Sequence, residues 1–333
     1  MADWPLIPNF FESWIGNGAT IFYVYIQSIS EEVDLMIKLY EAQKNIDVIR
    51  VDWPAVPTSR ADDDDGNPNN RMYRTEVATA VNDCILRARA TSDLVVSSDL
   101  DEIITPVNSS NNETLFDIIA DYQTKKKGKQ PGAFIFRQSY AYAENNWFSI
   151  SHPSLLHFDH YKSVDYDKTA WRRGYRSKVI YVPESVYRAH VHDVIAFESK
   201  QWSTVVIDPN RARVLHFRQV KNKYMQHTNV IEKSHVLFDK AEEWQKAYGM
   251  RLKSFNDYEM IHSIRSSSNL SFGSPIWPNF GEQALKEIDY CRDENYKMKN
   301  TKCVTLWKCR STMKVLRPGQ WVEPDSAKTW IMI

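Results

Sequence analysis

Residues 93–106 read DLVVSSDLDEIITP, and this stretch decides the fold. Leu94, Val95 and Val96 form an apolar, β-branched run behind the turn residues Thr91, Ser92 and Asp93, which predicts a buried central strand. The run stops at Ser97 and Ser98 and gives way to Asp99, Leu100, Asp101 and Glu102. Three carboxylates at the end of a buried strand are costly unless a cation meets them. In open α/β sheets that carboxyl edge is where ligands bind. Asp99 and Asp101 are two positions apart, so extended backbone points both the same way. Two hard oxygen donors on one side suit Mg²⁺ or Mn²⁺ shared with a substrate phosphate. The alternative is an acidic cluster capping a helix, but Pro106 follows and a helical pattern resumes only near Thr114.

Upstream, Ile21 to Ile26 (IFYVYI) is a β-branched and aromatic strand, and Val48 to Val51 is another. Between them, Ser28 and Glu31 make a capping box, and Val33, Ile37 and Tyr40 share one helical face. Strand, helix, strand is the signature of an α/β protein with parallel pairing. Phe10 to Gly16 and Asn70 to Ala90 read as helices, the second carrying Cys84 as a small buried hydrophobe rather than a nucleophile. Downstream, Leu115 to Tyr122 is helical, and Ala133 to Ala143, Arg176 to Pro183 and Arg213 to Arg218 are strands. The later chain is mainly helical, with Leu237, Ala241, Trp244 and Tyr248 on one face and a second helix over Glu282 to Ile288. No repeat or long linker is visible, so one domain is expected. Residues 1–220 would form the catalytic core, with 221–333 a mainly helical part packed on it. The acidic run Asp62 to Asp65 and the basic run Lys125 to Lys129 read as solvated loops.

Lysine plus arginine and aspartate plus glutamate both number 42, so formal charge is zero and nucleic acid is not an expected partner. The 11 tryptophans and 17 tyrosines serve the core and also suit the flat apolar faces of sugars. No stretch approaches the roughly 18 apolar residues of a membrane helix. Of four cysteines, Cys291, Cys303 and Cys309 crowd the tail. With the Asn108, Asn112 and Asn269 sequons they point to an oxidising compartment and a disulfide. Cys303 and Cys309 lack zinc-site spacing.

A metal held on a diphosphate makes that diphosphate a leaving group, as in transfer of a sugar from a nucleotide sugar. The anomeric carbon passes through an oxocarbenium-like state and the acceptor hydroxyl needs a base. His190, His192 and His216 are candidates for a third metal ligand, each beside an apolar strand-like stretch. Alternation puts His216 with Arg218 on one face of Val214–Arg218, where imidazole and guanidinium would suit a metal diphosphate. The competing reading is a solvated strand face. Arg172, Arg173, Arg176 and Lys178 are candidates for phosphate contact. Trp147, Trp171 and Trp202 could stack on sugar or fill the core.

Four ordered blocks resemble glycosyltransferase family 92: Phe10 to Glu41, Arg74 to Pro106, Arg176 to Val194 and Val214 to Arg218. The resemblance implies a GT-A fold, a Rossmann-like mixed sheet flanked by helices. It also implies a nucleotide-sugar donor, Mn²⁺, inversion at the anomeric carbon, and a type II membrane protein of the Golgi lumen. The family's characterised chemistry is galactose transfer, including onto the core fucose of N-glycans. Only Met1 to Asn9 precede the first block, so the stem, membrane anchor and first strand of family members are expected to be missing from this chain. The reading is then an inverting transferase of galactose from UDP-galactose. Asp99 would lie near ribose and metal, with Asp101 and His216 on the metal. Arg176, Lys178 and Arg218 would face the nucleotide, and Glu102 would orient the loop. Asp193 and Glu198 are the candidates for general base. The rival readings are an inactive glycan-binding protein on the same fold and a metal-dependent phosphohydrolase or nucleotidyltransferase.

Overall fold

The computed structural model describes residues 4–61, 64, 66–71, 77–107, 113–125, 128–143, 150, 152–217 and 231–262, with 286–287, 290–291, 293–294 and 321–325 in the tail. It is a mixed α/β protein, as expected from the strand–helix–strand pattern.

Helix α1 (Leu6–Gly16) starts four residues before the expected Phe10 and buries Leu6, Ile7, Phe11 and Trp14. Gly18, at φ 90°, turns the chain into β1 (Ile21–Ile26). A short β2 (Ile29–Ser30) leads into α2 (Glu31–Glu41), and β3 (Asp47–Asp52) then pairs parallel with β1. The cap of α2 is Ser30 and not the expected Ser28: its hydroxyl accepts from the Val33 amide at 3.4 Å. Pairing of β2 with tail residues Trp321–Val322 holds the chain extended through Ser30, and Ser28 instead donates to Glu323. Helix α3 (Val77–Ala88) comes after a 3-10 turn at Pro68–Arg71 and ends two residues before the expected Ala90; residues 72–76 lie outside the described residues. Cys84 on it is a free thiol that burial pushes up to about 11, so it is not a nucleophile.

The run at Leu94 gives only β4 (Val95–Val96), half-buried and last in its sheet, so the expectation of a buried central strand does not hold. The fully buried strand is the next one, β5 (Glu102–Pro106). After α4 (Leu115–Lys125), the expected single strand over Ala133–Ala143 divides at Arg137. Its halves are β6 (Gln130–Phe136) and β7 (Gln138–Tyr142), which enter different sheets. The remaining strands are β8 (Asp165–Asp167), β9 (Lys178–Tyr181), the hairpin β10 (Val186–His190) and β11 (Asp193–Phe197), β12 (Trp202–Val206), β13 (Ala212–Phe217) and β14 (Ile231–Lys233). Helix α5 (His235–His262) and β15 (Trp321–Val322) complete the described elements.

One sheet has the order β12-β6-β9-β4 and the other β14-β8-β7-β13-β5. Strand β6 is buried on both faces. Phe134 and Phe136 enter the main core, while Ala133 and Ile135 enter a smaller one with Val81, Ile85, Val179 and Tyr181. The main core also takes Leu237, Ala241, Trp244 and Tyr248, the expected face of α5. Trp244 packs so closely on Gly16 that a methyl there would stand 2.6 Å from its indole nitrogen. Cys303, Cys309, the three sequons and most of Glu282–Ile288 lie outside the described residues. Among the described residues, no helix is long and apolar enough to cross a membrane.

Three helices meet at one buried acid. Glu12 of α1, 1% exposed, accepts from the Tyr40 hydroxyl of α2 at 2.9 Å and from Arg251 of α5. Burial outweighs the pull of Arg251 and raises the Glu12 carboxyl to about 7. A raised acid stabilises the fold fully below its unfolded value, and that contribution is lost as pH rises through about 7. Between pH 5 and pH 8 the wild type should therefore lose stability relative to Glu12→Gln, on the order of 2–3 kcal/mol. Urea titration of both proteins at the two pH values reads this, and a difference that does not change with pH would refute it.

Candidate active site

Strand register builds the site. Strand β13 lies between β5, antiparallel, and β7, parallel, and places His216 opposite both Glu102 and Tyr140. Beyond Val96 the chain leaves extended geometry. Residues 99–102 form a turn closed by the Glu102 amide donating to the Asp99 carbonyl at 3.2 Å. The two aspartates thus point to different partners, not the same way as extended backbone required. Asp101 Oδ2 lies 3.0 Å from His216 Nε2. Asp99 Oδ2 lies 2.9 Å from Lys178 Nζ.

Lys178 enters through the second sheet. Val96 pairs with Ile180, so Lys178, two residues earlier, runs beside the acidic turn and shares the face of Ile180. Its side chain is fully buried, and its ammonium also stands 2.9 Å from Glu102 Oε2. Burial alone would lower this amine, but Glu102 and Asp99 outweigh it and raise it, so the cation persists. Glu102 is 3% exposed. Burial raises its carboxyl, and Lys178 opposes that shift. Its Oε1 faces His216 Nδ1 at 3.5 Å, and its Oε2 accepts from the Asp99 amide at 3.4 Å. Glu102 therefore touches the acidic turn, Lys178 and His216 at once, and Lys178 spends its charge on carboxylates.

The donor set fits a divalent ion only in part. Asp101 Oδ2 and His216 Nε2 are spaced like adjacent vertices around an octahedral ion bonded at roughly 2.1 Å. Among the described residues no group of three His, Cys, Asp or Glu side chains converges for a metal. Protein would thus supply two ligands, with phosphate oxygens and water completing the shell, as is usual for Mg²⁺-type sites.

Arg176 lies on the far side of Tyr140. Its guanidinium donates to the Tyr140 hydroxyl and stands 5.4–5.7 Å from the ring centres of Trp171, Tyr140 and Tyr175. Trp171 is 38% exposed, whereas Trp202 is half-buried and Trp147, like Arg218, lies outside the described residues. His192 Nδ1 donates to the Ser177 carbonyl at 2.7 Å. Burial lowers it, and both Lys178 and Asp99 act on it electrostatically. Asp193, at the start of β11, pairs with Arg173 at 3.3 Å. Glu198, past the other end of that strand, pairs with Arg89. Neither contacts Asp99, Asp101 or His216. Sequence reasoning missed the pairing of Lys178 with the acidic turn, because a lysine in a strand reads as solvent-facing until its neighbour strand is known.

A profile of glycosyltransferase family 92 matches residues 1–265, further in both directions than the four blocks. A glycosyltransferase family 92 protein of Caenorhabditis elegans is 23% identical over 205 residues, 60% of this chain and 36% of that protein. The chain therefore spans about a third of that relative's length. With the acidic turn and His216 set together by strand register, and the profile covering most of the residues, the chain belongs to glycosyltransferase family 92.

Proposed function

We propose that this chain is a metal-dependent inverting glycosyltransferase that moves galactose from UDP-galactose onto a glycan such as a fucosylated N-glycan. It would act in the Golgi lumen as part of a type II membrane protein. The observation that carries the reading is the meeting of Asp101 with His216 at 3.0 Å beside two further carboxylates and a buried lysine.

When bound, Mn²⁺ or Mg²⁺ would neutralise charge on the leaving diphosphate. Asp101 and His216 would hold it, while Lys178 and Glu102 brace the turn that carries Asp101. The acceptor oxygen bonds to the anomeric carbon as the bond to phosphate breaks, UDP takes the electron pair, and the acceptor proton passes to a base. Asp193 and Glu198 are the candidates for that base; they pair with Arg173 and Arg89.

The test is UDP release from a panel of UDP-sugars, with and without Mn²⁺, using fucosylated and unfucosylated N-glycans. Release should require both Mn²⁺ and a glycan and be fastest with UDP-galactose. Glycan-independent release of phosphate or diphosphate would defeat the reading.

A further inference from the structure

Residues 168–177 link β8 to β9 and carry a pair of exposed aromatic rings. Trp171 and Tyr175 are 38% and 44% exposed, with ring centres 5.1 Å apart and planes tilted by 31°. Such rings on a surface lose apolar contact and must be held there by something else. The loop backbone supplies it. The Trp171 amide donates to the Gln138 carbonyl at 2.7 Å, and Arg137 donates to the Trp171 and Ala170 carbonyls, each at 2.7 Å. Buried Arg213 donates to the Lys168 and Asp167 carbonyls at 2.9 and 3.3 Å. Gly174 and Arg176 both take left-handed backbone, at φ 75° and 60°. A non-glycine residue held there is a local cost that clusters at ligand sites.

We propose that Trp171 and Tyr175 are a preformed ledge for a neutral pyranose ring of the acceptor glycan, which stacks its C–H face on them while Arg176 donates to its hydroxyls. The proposal rests on the glycosyl-transfer reading for the word acceptor, but not for the ledge itself. Position separates an acceptor sugar from the donor's uracil, which could also stack. From the ledge, contact passes through Tyr140, whose ring centre is 5.9 Å from that of His216, to the metal side of the cluster. Arg173 of the same loop pairs at 3.3 Å with Asp193, one of the two carboxylates considered as general base. The acceptor must lie between such a base and the anomeric carbon. Asp99 and Lys178 hold the other side of the cluster. Because the loop is already fixed, stacking costs little ordering.

Saturation-transfer NMR on the full chain tests the ledge with four probes: the methyl pyranosides of fucose, galactose, mannose and N-acetylglucosamine. Calorimetry of Mn²⁺–UDP binding is run alongside. At least one pyranoside should receive saturation at its ring C–H protons. Trp171→Ala and Tyr175→Ala should each cut that signal at least fivefold and leave Mn²⁺–UDP affinity within twofold. The exposed Tyr175→Ala keeps the test usable if Trp171→Ala misfolds. No pyranoside signal, or a signal unchanged in both variants, overturns the ledge. So does a tenfold loss of Mn²⁺–UDP affinity with the pyranoside signal intact, which would make it a nucleobase shelf. If the wild type fails to bind Mn²⁺–UDP, the donor reading falls, and the pyranoside signal still decides the ledge by itself.

Discussion

Asp101→Asn is expected to lose transfer by on the order of a thousandfold, about 4 kcal/mol in barrier height. The amide matches the carboxylate in shape but carries no charge for a cation. It also brings a donor, or at best a neutral oxygen, to His216 Nε2, now 3.0 Å from Asp101 Oδ2. Asp101 is a third exposed, so the fold should barely register the change and thermal unfolding should stay within a few degrees of the wild type. The readouts are UDP release at saturating Mn²⁺ and calorimetric Mn²⁺–UDP binding. Near-normal turnover with normal metal affinity would move the site away from this turn.

Lys178→Met should have the largest effect on stability, about 3–5 kcal/mol. The ammonium is fully buried between Asp99 and Glu102, 2.9 Å from each. Asp99 is 61% exposed and falls back on water, so its share is small. Glu102 has no such escape at 3% exposure. Without the lysine it must stay charged in a dry setting or take up a proton. Adding Glu102→Leu should restore most of the loss, since an apolar pair replacing a buried ion pair is often neutral. Urea unfolding of the single and double variants decides this: a single variant costing under about 1 kcal/mol would mean the pair carries little of the fold.

Much of this site is legible along the chain because its chemistry is local. Asp99, Asp101 and Glu102 stand in one acidic turn, and His216 interrupts an apolar strand where a polar ring needs a reason. What escapes the sequence is set by distant pairing. A run as short as Leu94–Val96 satisfies an edge strand as well as a central one, and only its pairing with β9 shows which it is. The same pairing delivers Lys178 to Asp99, across 79 positions of chain (178 less 99). Ser28 meets the capping-box pattern and Ser30 does not, yet Ser30 caps the helix because tail residues near 321 hold it extended. The break at Arg137 did leave a sign. It is the lone charged residue in AFIFRQSYAYA, and its guanidinium leaves the strand to bind the 170–171 carbonyls.

The anchoring of loop 168–177 has a consequence for how this chain can change. Arg137 and Arg213 grip the carbonyl oxygens of residues 167, 168, 170 and 171, and every amino acid supplies one of those. Those anchors do not depend on the side chains at 167, 168, 170 and 171, although Gly174 at φ 75° does limit what position 174 can carry. The meeting of the acidic turn with His216, by contrast, depends on strand register, where a slip of one residue would swing His216 to the opposite face. Variation can thus rewrite the displayed surface while the acidic turn stays fixed. If the ledge binds sugar as proposed, that division would let its preference change while the acidic turn stays as it is.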